Sequence, residues 1–179
     1  KEKNGIIHGR TTPDILKTLF DRKMTEEEIV AFRFQKEEVY QKLCVETGLK
    51  LAEGVVNLVN YLKEINIKYT IATASSINNV NFYFSYLGLD KYFDRTLVAY
   101  DDGTVKGKPS PDLFLRAYEK LSIRSDEAVV FEDSYAGILA AENSGAGKIY
   151  IVNSTGDDYS RFDHSVITNF AEVEKNIFI

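Results

Sequence analysis

The stretch "AVVFEDSYAGILAAENSGAG" (residues 128–147) joins a short apolar run to a small-residue helix through two adjacent acids, Glu132 and Asp133. Its first four residues have the apolar character of a buried strand, and "AGILAAENSG" (136–145) predicts a helix that ends on Gly145. In open parallel sheets, ligands bind beyond the carboxyl ends of the strands. The two acids therefore stand where a binding site is expected.

The rest of the chain after Gly54 alternates between short β-rich runs and amphipathic helices. This alternation predicts an α/β fold, a Rossmann-like parallel sheet covered by helices on both faces. The predicted helices are 55–66, 77–88, 111–122, 136–145 and 171–178, and the predicted strands are 69–74, 95–100, 127–133, 148–153 and 165–170.

The segment before this core is helical in pattern. Pro13 suits the first turn of one helix, Thr25 and Glu28 form a capping box that opens a second, and Gly48 is a C-cap candidate. We therefore divide the chain into a helical part at 1–50 and an α/β core at 51–179.

Composition excludes several classes of protein. The 179 residues carry a net charge of −5, from 22 basic and 27 acidic side chains, which argues against nonspecific binding to nucleic acid or an anionic membrane. Cys44 is the only cysteine, so an intrachain disulfide and a Cys-rich zinc site are excluded, and a reducing cytoplasm is the natural interpretation. No apolar run approaches the ~20 residues of a membrane span. We expect a cytoplasmic monomer or weak dimer.

Two further groups are predicted at the same edge of the sheet as the acids. Thr73 ends the 69–74 strand, and Lys108 lies in the loop "GTVKGKPSPD" before a helix. A hydroxyl, an ammonium and two carboxylates suit a phosphate ester and a magnesium ion, because magnesium prefers oxygen ligands and phosphoryl transfer depends on charge neutralisation.

Simpler explanations remain open for each residue taken alone. The acid pair is compatible with an N-cap followed by a first-turn acid, Lys108 with a solvated lysine, and Thr73 with a β-forming residue. The motifs around these residues favour the functional interpretation.

Three motifs, "TIATASS", "GKPSPD" and "VVFEDSYAGILAAENSGA", resemble in their order the second, third and fourth motifs of the haloacid dehalogenase superfamily, in its β-phosphoglucomutase-like branch. The resemblance implies that Thr73 binds phosphate, that Lys108 is the catalytic lysine, and that Asp133 binds Mg²⁺ with Glu132 beside it as a ligand or a supporting residue. It also implies that Ser75 and Ser134 line the phosphate pocket.

The helical part resembles the family's cap, which closes over the substrate. Its segment "HGRTTPDIL" is similar to the cap segment that contacts the non-reacting end of the substrate. The resemblance implies that Arg10, Thr12 and Lys36 contact the substrate.

The family's Asp-x-Asp motif, whose first aspartate is the nucleophile, does not appear in this sequence at a suitable place. "YDDGTV" (100–105) fails, since Tyr100 stands where the first aspartate is needed, and we interpret Asp101 and Asp102 as turn acids. We expect the motif and its strand upstream of residue 1, with that strand between those of Thr73 and Asp133.

The function expected from the resemblance is Mg²⁺-dependent hydrolysis of a small phosphorylated metabolite, with a sugar phosphate as the expected substrate, through an aspartyl-phosphate on that upstream residue. The alternatives are a β-phosphoglucomutase-type phosphohexose mutase and a non-catalytic pseudoenzyme that binds metal and phosphate. The 179 residues alone are expected to be inactive.

Overall fold

The computed structural model describes residues 16, 18, 20, 22, 24–154 and 156–178. Five α-helices and three strands lie in this part of the chain, in the order α1 (Glu26–Thr47), α2 (Val55–Glu64), α3 (Ile77–Leu87), α4 (Asp112–Leu121), β1 (Val129–Glu132), α5 (Tyr135–Asn143), β2 (Lys148–Val152) and β3 (Ser165–Ile167). Pro13, where a helix is predicted to begin, and the predicted substrate residues Arg10 and Thr12 lie outside the described residues, whereas Leu16 and Thr18 of that predicted helix are helical.

The three strands form a parallel sheet in the order β1-β2-β3. Val130 pairs with Ile149, and Ile151 with Val166. The predicted α/β fold with a parallel sheet is therefore confirmed. Among the described residues, no ladder joins segment 69–74 to β1, where the sequence predicts a neighbouring strand.

The strands predicted at 69–74 and 95–100 are wrong in extent. They meet only in a parallel bridge between Ala72 and Ala99. Residues Arg95–Leu97 form a 3₁₀ turn instead, because the Asp94 carboxylate accepts hydrogen bonds from the Thr96 backbone N–H at 2.9 Å and its hydroxyl at 2.7 Å. A side chain that bonds to its own backbone in this way competes with strand pairing.

The predicted C-terminal elements also differ from the structure. The strand predicted at 165–170 ends at Ile167, and the helix predicted at 171–178 is two 3₁₀ turns, Phe170–Glu172 and Lys175–Phe178. Asn169 causes the break, since its side chain accepts from the Ala171 N–H at 2.8 Å and begins a new turn.

Helix α1 begins and ends as predicted. The Thr25 hydroxyl accepts from the Glu28 N–H at 3.2 Å, and the Glu28 carboxylate accepts from the Thr25 N–H at 2.9 Å. Gly48 ends the helix at φ 67°, a left-handed conformation that glycine adopts without strain. The division of the chain at residue 50 stays a prediction.

Apolar side chains cover both faces of the sheet. One cluster contains Phe114, Tyr118, Val130, Ala140 and Ile149, and the other contains Leu58, Leu62, Tyr150, Ile167 and Val173. Neighbouring residues of a strand point to opposite faces, so this arrangement buries the sheet between two layers. No helix among the described residues is long and apolar enough to cross a membrane.

Candidate active site

Glu132 ends β1 with its side chain buried, and its carboxylate organises the following turn. Glu132 Oε2 accepts from the Asp133 backbone N–H at 2.7 Å. The N-cap of α5 is Ser134, whose hydroxyl accepts from the Gly137 N–H at 3.1 Å. Because Ser134 fills the capping position, neither acid serves as the N-cap.

Lys108 forms a buried ion pair with Glu132. The Lys108 ammonium donates to Glu132 Oε1, and the two side chains are 7% and 9% exposed. The ammonium also lies 5.1 Å from the centre of the Phe114 ring, on the next helix. A buried lysine needs a charged partner to remain favourable, so Lys108 is not a solvated surface lysine.

The pKa values of the two acids are shifted in opposite directions. Burial alone would raise the pKa of Glu132. The charge of the Lys108 ammonium and the hydrogen bonds that Glu132 accepts from Lys108 and Asp133 outweigh burial and hold that pKa below its ordinary value. Partial loss of hydration, followed by the negative charge of Glu132, raises the pKa of Asp133. Asp133 is nevertheless exposed, so it remains accessible from solvent.

Gly137 makes room for the Glu132 carboxylate. A Cβ atom at this position would lie 1.6 Å from Glu132 Oε1, closer than any real contact. Helix α5 can therefore approach the ion pair only with glycine here. The motif that carries the family resemblance includes Gly137, but sequence analysis assigned this glycine no role.

Thr73 and Ser75 form a tight loop after the Ala72 bridge. Thr73 Oγ1 accepts from the Ser75 N–H at 3.1 Å, and the Ser75 carbonyl accepts from the Asp101 N–H at 3.0 Å. Ala72 packs against the same apolar cluster as Phe114, over which Lys108 lies. This cluster links the Thr73 loop to the Lys108–Glu132 pair.

Helix α1 brings charged side chains to the same loop. Arg33 lies 3.7 Å from the Asp101 carboxylate, and Glu37 Oε1 accepts from the Ser76 hydroxyl at 2.6 Å. Lys36, on the same helix, is half-buried, and burial lowers its pKa even though Glu37 favours its charged form. Sequence analysis selected Lys36 but missed Arg33 and Glu37, whose contacts join positions far apart in the chain.

A family model described as haloacid dehalogenase-like hydrolase matches residues 4–145. The chain belongs to this family. The family fold is confirmed by a family IA, variant 3 HAD hydrolase from Entamoeba histolytica, whose crystal structure has a TM-score of 0.87 at 28% identity and covers 99% of this chain and 81% of that chain.

Two curated relatives of this HAD-like chain carry names of specific activities. The phosphorylated carbohydrates phosphatase of Thermotoga maritima is 33% identical over 124 residues, which are 69% of this chain and 54% of the relative. A β-phosphoglucomutase of Mycobacterium bovis is 28% identical over 124 residues, which are 68% of this chain and 47% of the relative. The chain spans about half the length of these two relatives.

Proposed function

We propose that the complete protein is a Mg²⁺-dependent phosphatase of a small phosphorylated metabolite, with sugar phosphates as the substrate class. The observation that carries the proposal is the buried Lys108–Glu132 pair beside the exposed carboxylate of Asp133. It fixes a positive charge at the end of β1, where a phosphoryl group would need one. The name of the Thermotoga maritima relative supports the carbohydrate part of the substrate.

The two acids fit a magnesium site in chemistry, with different roles. The described residues contain no group of three or more His, Cys, Asp or Glu side chains suited to a metal. Magnesium is bound through one or two carboxylates and keeps water or phosphate oxygens in its remaining positions, so two adjacent acids suit it. Since both oxygens of Glu132 already have donors, Asp133 is the direct ligand and Glu132 holds Lys108 and Asp133 in place. When bound, the ion would offset negative charge on the phosphoryl oxygens.

The protein's own residues supply the other contacts. The Lys108 ammonium donates to the attacking group or to a phosphoryl oxygen, the Thr73 hydroxyl donates to another, and Ser75 and Ser134 line the pocket. Arg10, Thr12 and Lys36 contact the non-reacting end of the substrate. The nucleophile in this scheme is an aspartate of an Asp-x-Asp motif outside the 179 residues, which would carry the phosphoryl group as an aspartyl-phosphate.

The second candidate is a phosphohexose mutase, which the name of the Mycobacterium bovis relative favours. A mutase keeps the phosphoryl group within the sugar, whereas a phosphatase releases it to water. The third candidate, a non-catalytic protein that binds metal and phosphate, would do neither. The same assay therefore distinguishes it from the two enzymes. A cytoplasmic location and a monomer or weak dimer stay predictions.

The test is the release of inorganic phosphate by the full-length protein from a panel of aldose and ketose monophosphates and from β-glucose 1,6-bisphosphate. We expect release from at least one monophosphate, abolished by EDTA and restored by excess Mg²⁺. Isomerisation of hexose phosphates without release would favour the mutase. Absence of both reactions in protein with an intact Asp-x-Asp would overturn the proposal.

A further inference from the structure

One face of α1 carries a polar row that faces the α/β core. Arg33, Glu37 and Gln41 are spaced by four residues, so they lie in one line along the helix. Arg33 is paired with Asp101 at 3.7 Å, and Gln41 donates to the Asn79 side chain at 2.9 Å. Polar contacts therefore hold this face of the helix to the core.

Glu37, in the middle of the row, has one satisfied and one unsatisfied oxygen. Its side chain is 4% exposed, and Oε1 accepts from the Ser76 hydroxyl at 2.6 Å. Oε2 is buried and has no hydrogen-bond partner among the described residues. Burying a carboxylate oxygen without a donor is unfavourable, and such groups are few in native proteins.

The location of Glu37 indicates what this oxygen is for. Ser76, its partner, directly follows Ser75, which closes the Thr73 loop. Asp101 is hydrogen-bonded to that loop through Ser75 and is paired with Arg33. Glu37 thus lies beside the predicted phosphate pocket, on the helix side, where the non-reacting part of a substrate would be.

We propose that Glu37 is a specificity-determining residue whose Oε2 accepts a hydrogen bond from a hydroxyl group on the non-reacting part of the substrate. The inference rests on the proposed phosphatase function and narrows its substrate to polyhydroxylated phosphate monoesters. Such a hydroxyl supplies the donor that the buried oxygen lacks. A phosphate ester without hydroxyl groups cannot supply it.

This arrangement also couples recognition to packing of the helix on the core. With the helix packed on the core, Oε2 lies in a buried site without a donor, and water would satisfy it if the helix moved away. A substrate hydroxyl that donates to Oε2 therefore stabilises the packed arrangement selectively. The free-energy cost of the unsatisfied oxygen, which this hydrogen bond removes, exists only when the helix is packed on the core. Two positive side chains, Lys36 and Arg33, lie near Glu37. They interact electrostatically with each other and with Asp101.

The experiment compares Glu37→Gln with the matched control Glu38→Gln in the full-length protein. Both variants remove one negative charge, but Glu38 is exposed on the same helix. The substrates are the sugar monophosphate that the wild type hydrolyses best and p-nitrophenyl phosphate, which has no hydroxyl group. Glutamine can still accept from Ser76, but it replaces the charged acceptor with an amide group.

We expect Glu37→Gln to lower kcat/KM for the sugar phosphate about 10-fold and to change p-nitrophenyl phosphate hydrolysis less than twofold. Glu38→Gln should change neither. The melting temperature of Glu37→Gln should equal or exceed that of the wild type, because a buried charge is removed.

Equal losses on both substrates, or a lowered melting temperature, would assign Glu37 a structural role and overturn the inference alone. Unchanged kcat/KM on both substrates would do the same. A wild-type protein inactive on every phosphate ester would instead overturn the proposed function, and the inference with it.

Discussion

Glycine at position 137 sets how closely α5 approaches Glu132. We predict that Gly137→Ala displaces the Glu132 carboxylate, since the new Cβ would lie 1.6 Å from its Oε1. The Lys108 pair would then be broken or strained. Overpacking of this kind costs about 1–3 kcal/mol of unfolding free energy, and we expect turnover to fall at least ~10-fold. Urea unfolding and phosphate release measure the two effects, and wild-type values for both would contradict this account of the site.

The ion pair itself illustrates what a sequence can predict at the residue scale. The motif order was enough to select Lys108, Glu132 and Asp133, because each falls next to a strand end or helix start. The different environments of the two acids were not predictable from the sequence. Glu132 is buried against the lysine and Asp133 is exposed because of how α5 and Phe114 pack.

At the scale of elements, the turn before Lys108 is held by the two acids predicted there. Asp101 accepts from the Gly103 N–H at 2.9 Å, and Asp102 accepts from the Thr104 N–H at 3.0 Å. Asp102 is also paired with Arg116 of α4 at 2.8 Å. These contacts confirm the interpretation as turn acids and connect the turn to the helix that follows the lysine.

Hydrogen bonds from the Thr104 hydroxyl and backbone, followed by Arg116, lower the pKa of Asp102 from 3.8 to about 2. A carboxyl group with a lowered folded-state pKa stabilises the fold above about pH 4 and loses that contribution as pH falls through about 2. We predict that Asp102→Asn lowers the melting temperature at pH 7 by up to about 3 °C, since the pair is partly exposed. The difference from the wild type should disappear near pH 2.

Thermal unfolding from pH 7 to pH 2 tests this prediction, with the exposed Asp163→Asn as the matched control. The control should follow the wild type throughout. A melting difference for Asp102→Asn that is independent of pH would contradict the titration argument.

The elements that sequence analysis predicted well were those with strong local signals. The capping box of Thr25 and Glu28 and the left-handed Gly48 fixed α1 almost to the residue. The elements it predicted poorly lie at 69–74 and 95–100, where apolar β-rich composition favours strands but pairing is limited to one bridge. Strand extent depends on neighbours in space, and composition does not contain that information.

At the scale of the whole molecule, two sets of contacts bring distant parts of the chain together. The α/β core supplies Lys108, Glu132 and Asp133, and α1 supplies the polar row that packs on the Thr73 loop. The contact between Glu37 and Ser76 joins residues 39 positions apart, and for that reason no local pattern could reveal the unsatisfied oxygen.

The most direct test of the central claim compares Lys108→Ala with Lys106→Ala in the full-length protein, by phosphate release at saturating Mg²⁺. Lys106 is exposed two residues away in the same loop, so it controls for loss of charge. If Lys108 stabilises the transferring phosphoryl group, its removal lowers kcat/KM at least ~100-fold while Lys106→Ala stays within about twofold of the wild type. Equal activity of the two variants would contradict the assignment of this strand-end site to phosphoryl transfer.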